Sequence, residues 1–79
     1  MRYKIGDKVV VHLNLKKHSG VIICISDEYY GVEFLERIGG YTHSLGGILS
    51  TDRGRWYEEF EIKLIEEEIT GVLTIGDDI

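Results

Sequence analysis

The chain has 79 residues with no proline, a single cysteine, a single tryptophan and no apolar run longer than a short strand. Each shortage narrows the possibilities. Ordinary usage near 5% would supply about four prolines, and their absence leaves ten glycines as the main turn-formers. Cys24 cannot form an internal disulfide, which fits a reducing compartment and removes the staple on which small secreted domains rely. No stretch approaches the roughly 18 apolar residues of a membrane span, and MRYKIGDK lacks the apolar segment of a secretory signal. A cytoplasmic protein with no membrane association is expected. So short a chain makes one domain with a thin core.

Catalytic and metal chemistry find little support. His12, His18 and His43 are scattered, and no CxxC or HxxxH spacing is present to hold zinc. No metal and no cofactor are expected. Cys24 lies in the apolar run VIICI, where a thiol packs rather than attacks. Glu58, Glu59 and Glu61 would matter for catalysis only if they converged in a cleft. The sequence therefore predicts no catalytic residues and no enzyme.

Charge is unevenly spread. Residues 1–57 hold eight Lys/Arg against six Asp/Glu, whereas residues 58–79 hold one Lys against eight Asp/Glu, for a net of -5. An acidic chain argues against nucleic acid as a partner, because phosphates need cations to displace their counterions. The carboxylates at 66–68 and 77–78 read as a solvated tail or as a docking segment for a basic surface.

Periodicity of two residues dominates. KVVVHL places Val9, Val11 and Leu13 on one face. NLKKHSG reads as a polar loop, and GVIICIS as a short apolar strand. In YYGVEF, Tyr30, Val32 and Phe34 alternate with Tyr29, Gly31 and Glu33, and Gly31 suggests a bulge or a close backbone approach. Ile62 and Leu64 share a face of the closing strand. Val9, Val11, Ile22, Ile25, Val32, Phe34 and Leu64 are the expected core, each contributing roughly 1.5–3 kcal/mol when buried. The fold class is all-β, a small barrel of about five strands over residues 1–65, followed by an acidic tail at 66–79. Ile69, Val72, Leu73 and Ile75 make that tail prone to pair as an extra strand, on its own chain or in a homodimer.

Between Gly39 and Phe60 lies GGYTHSLGGILSTDRGRWYEEF, with five glycines and the tryptophan. Loops of this length in compact domains commonly carry function. Glycine permits the segment to fold back on itself, laying Tyr41, His43, Leu45 and Ile48 over the open end of the barrel with Trp56 beneath. Two readings stand. Trp56 and His43 plug the barrel, or Tyr29, Tyr41, His43, Arg53, Arg55, Trp56 and Tyr57 line a peptide-binding groove, the aromatic and arginine composition of interface hot spots. The same aromatic groups could stack on single-stranded nucleic acid, with Lys16, Lys17, Arg37, Arg53 and Arg55 tracking its backbone. Binding a small cationic ligand would need several rings facing one point.

The order KIGDKVVV, GVIICI, YYGVEF and EIKLIE resembles the SH3-like barrel pattern across residues 4–65. VEFLERIGGYTHSLGG followed by GRWYEEFEIKLI is similar to small phage and bacterial proteins with a Gly/His loop and a Gly-x-Trp ending, and distantly to Mind bomb-type domains. Gly39, Gly40, His43, Gly47, Gly54 and Trp56 occupy the matching positions. Tyr57 stands where such proteins often have a second tryptophan, and the proline after it is missing. The resemblance implies a phage or mobile-element protein. With the absence of catalytic groups, it predicts a non-enzymatic protein-binding module acting on a host protein, such as an inhibitor of a host nucleic-acid enzyme or defence system. Single-stranded nucleic-acid binding and small-ligand binding are the alternatives.

Overall fold

The computed structural model describes residues 2–65. The acidic tail at 66–79, with the extra strand and self-association expected of it, lies outside the described residues. Lys8–Leu13 (β1) and Lys16–Ser26 (β2) form a hairpin. Asn14 and Leu15 join them, both left-handed at φ 54° and 65°, as the twist-matched type I′ turn requires. The polar loop expected at 14–20 is thus only two residues long. Lys16, Lys17 and Ser19 are exposed positions of a strand.

β2 is long because it serves two partners. Lys16–Val21 pairs with β1, and Gly20–Ser26 pairs with Tyr29–Phe34 (β3). A Cβ on Gly20 would lie 2.6 Å from Val32 Cγ1 and 2.7 Å from the Glu33 carbonyl oxygen, so only glycine fits where the two pairings overlap. Ile23 falls outside the register between Ile22 and Cys24, a bulge that bends the strand. Gly54–Glu58 (β4), a 3-10 turn at Glu59–Glu61, and Ile62–Leu64 (β5) follow. The order is β4-β3-β2-β1-β5, every pairing antiparallel. β4 and β5 are its edges. The architecture is all-β, an open five-stranded sheet where the sequence predicts a closed barrel.

The inner face carries the core. Val9, Val11, Ile22, Val32 and Phe34 are buried as expected, and Ile25 and Leu64 pack partly buried against them. Tyr3, Leu13, Tyr30, Tyr57 and Ile62 complete the cluster. The Tyr30 hydroxyl accepts the Tyr3 amide at 3.3 Å and donates to Glu59 Oε1 at 3.1 Å, while the Tyr3 hydroxyl donates to the Ile62 carbonyl at 2.8 Å. These bonds fasten the first residues to the turn before β5 and satisfy phenols that burial alone would penalise.

Candidate functional site

The outer face of β3 and β4 is built around two glycines. The register places Gly31 opposite Trp56 and Glu33 opposite Gly54, so the glycines occupy one diagonal of a four-residue patch. Period-two alternation puts all four side-chain positions on the same face. Leu45, 1% exposed, drops into the notch they leave. A Cβ on Gly54 would meet Leu45 Cγ at 2.7 Å and Leu49 Cδ1 at 2.6 Å, and one on Gly31 would collide with Cys24 Sγ and approach Leu45 Cδ1 at 2.9 Å. A second small apolar cluster, Leu45, Leu49, Cys24 and the Trp56 ring edge, therefore sits on the sheet's outer side. It stands apart from the main core.

The long loop is the device that delivers Leu45. Leu45, Gly46 and Gly47 are consecutive left-handed residues (φ 58°, 70° and 98°), a reversal that glycine makes accessible. The Leu49 and Gly47 amides donate to the Ser44 carbonyl at 2.9 and 3.2 Å. His43 and Gly54 exchange two backbone hydrogen bonds of 2.8 Å, and the Leu45 amide donates to His43 Nδ1 at 3.0 Å. His43 is thus an exposed residue that pins the loop to the edge of β4. The segment crosses the sheet edge to its outer face, where the sequence predicts a cover over a barrel mouth.

The seven sequence-predicted site residues fall into separate groups. Tyr29 and Trp56 line one shallow depression of about 240 Å³ with Ser26 and Asp27. Trp56 is half-buried on Gly31, and Tyr29 is 45% exposed. Tyr41 and Arg55 are joined, Arg55 Nη1 donating to the Tyr41 carbonyl at 3.0 Å, and the Tyr41 hydroxyl lies 3.4 Å from Asn14 Oδ1. Arg55 also stands 6.0 Å over the ring of Tyr57, a core residue on the inner face. Strand alternation turns Arg55 and Tyr57 away from Trp56. Arg53 pairs with Glu33 at 3.4 Å and donates to the Leu35 carbonyl at 3.0 Å.

Among the described residues, three groups have displaced proton affinities. Burial pushes the Tyr57 phenol up to about 12, against a smaller opposing pull from Arg55. Burial also raises the Cys24 thiol, partly offset by a hydrogen bond with the Gly31 backbone, leaving little nucleophilic thiolate at neutral pH. The Glu59 carboxyl is lowered, first by the Arg2 amide and then by the Tyr30 hydroxyl. Among the described residues no three His, Cys, Asp or Glu side chains gather as a metal site requires, and no helix there is long and apolar enough to cross a membrane. Compared with protein-family models, curated proteins and solved structures, the chain matches none.

Sequence reasoning missed the carboxylates beside the aromatic pair. Asp27 lines the depression itself, and Glu58 is the cross-strand partner of Tyr29. The tight Asp27-Glu28 turn was a visible signal of the first. The second needed the β3–β4 register.

Proposed function

We propose that the chain is a non-enzymatic protein-binding module of SH3-like architecture that docks its partner on the outer face of β3 and β4. The observation that carries this is the Tyr29–Trp56 depression: two large aromatic rings on one face, with the Trp56 ring seated against Gly31. Aromatic anchors in a preformed hollow are the usual seat of binding energy at protein interfaces. Pairing along the free β4 edge is a lesser contribution, since His43 already occupies Gly54 and the Glu58 amide donates to Glu61 Oε2 at 2.8 Å. The strand order and the 3-10 turn before β5 support the SH3-like reading, with the bent β2 shared between two halves of the sheet. The resemblance of residues 32–65 to small phage and bacterial proteins supports a host protein in the cytoplasm as the target, occupied and so inhibited.

Direct nucleic-acid binding is the lesser reading. That reading joined Trp56 to Lys16, Lys17, Arg37, Arg53 and Arg55, and the guanidinium groups of Arg37, Arg53 and Arg55 are engaged with groups of the chain itself. Selection from a displayed peptide library tests the proposal. Binders should be enriched on the protein and lost on Tyr29→Ala and Trp56→Ala variants whose circular dichroism stays native. Enrichment that persists on both variants, or no enrichment at all, would sink it.

A further inference from the structure

We infer that the Tyr29–Trp56 depression receives a positively charged side chain, arginine or lysine, from a basic segment of the protein partner. The inference rests on the docking face proposed above and names its ligand class. Asp27 lines the hollow, Glu28 follows it in the turn, and Glu58 lies across the strand pair from Tyr29. Glu28, Glu58, Glu59 and Phe60 frame the adjoining hollow. No described cation forms a salt bridge with Asp27, Glu28 or Glu58. The nearest arginine in sequence, Arg55, is turned to the other face and donates to the Tyr41 carbonyl.

Ring faces present negative potential, so a cation over Tyr29 or Trp56 is attracted by both rings and rim. An apolar side chain would fill the space and leave the Asp27 carboxylate uncompensated at the contact, with Glu28 and Glu58 on the neighbouring hollow. An acidic segment would be repelled by them. About 240 Å³ suits one long side chain with an aliphatic stem rather than a folded surface element. The net charge of -5 favours the encounter from a distance.

The test is an NMR titration of the intact protein with short capped Gly/Ser peptides bearing one central arginine, lysine, citrulline or glutamate. Citrulline keeps the shape of arginine and removes its charge. Saturable shifts at the Trp56 indole and at Ser26–Tyr29 are expected for arginine and lysine, with a midpoint at least about fivefold below that of citrulline. Asp27→Asn combined with Glu58→Gln should narrow that ratio to about twofold or less, and added salt should do the same. Equal responses to arginine and citrulline, or no response to arginine, overturn the inference. Library binders that still depend on Tyr29 would then show that the docking face survives without a cationic ligand, whereas their loss as well removes the reading beneath it.

Discussion

Phe34 lies edge-on to two neighbours, His18 at 6.1 Å and Tyr57 at 6.3 Å. Both carry a buried polar atom without a hydrogen-bond partner, His18 Nε2 and the Tyr57 hydroxyl. An unsatisfied buried hydroxyl costs about 1–3 kcal/mol, so Tyr57→Phe, which keeps the ring and removes that oxygen, should raise stability by about 1 kcal/mol in urea unfolding. The same substitution tests the proton affinity. A phenol held near 12 when folded and near 10 when unfolded leaves stability independent of pH below pH 10 and lowers it as the pH rises from there to about 12, because the unfolded chain releases the proton first. Tyr57→Phe should therefore flatten the alkaline fall in stability. Glu59 works in the opposite direction. Its carboxylate, lowered by the Arg2 amide and the Tyr30 hydroxyl, stabilises the fold above its ordinary value of 4.5 and ceases to do so as the pH falls through the folded one. Glu59→Gln should leave a shallower acid-unfolding curve.

Turns and glycines decide the elements. Leu15 is fully exposed yet left-handed, the conformation that costs a side-chain-bearing residue about 1–2 kcal/mol. Leu15→Gly forfeits no packing and gives the Asn-Gly pair that type I′ turns favour, so a gain of about 0.5–1 kcal/mol in denaturant unfolding is expected. Gly54→Ala should act the other way, by about 1–3 kcal/mol, because the new methyl displaces Leu45 and presses on the His43 carbonyl 3.0 Å away. A dispersed Trp56 indole resonance would accompany it, which a purely global loss would not produce. These two sites also mark what the sequence made legible. Alternation in KVVVHL and YYGVEF identifies the inner face, because water and core leave a period of two in any half-buried strand. Lys16–Gly20 hid its strand because that arm of the hairpin is largely exposed and carries no apolar stripe. Leu45 was visible as a loop apolar residue, but its seat was not. That seat exists only once the register sets Gly31 and Gly54 on a diagonal, a relation between residues 23 positions apart.

Across the whole molecule, the candidate site was half legible. Tyr29 and Trp56 carried their aromatic signal in the open, whereas Arg53, Arg55 and Tyr57 shared that composition and are bound into the fold or the core. Sequence neighbours on a strand face opposite ways, so composition alone groups residues that geometry divides. The same reasoning bears on residues 66–79. Every buried apolar side chain described lies between Tyr3 and Ile62, and the Tyr3 hydroxyl holds the Ile62 carbonyl at 2.8 Å. A chain ended after Glu68 should therefore fold, with stability within about 1 kcal/mol of the full chain. If the extra strand expected of Ile69, Val72, Leu73 and Ile75 pairs with a neighbouring copy rather than with its own chain, removing it abolishes association. Light scattering should then give twice the chain mass for the full protein and the single mass for the shortened one. Equal masses would assign any association to the described residues, and a shortened chain that fails to fold would show that the tail completes the core.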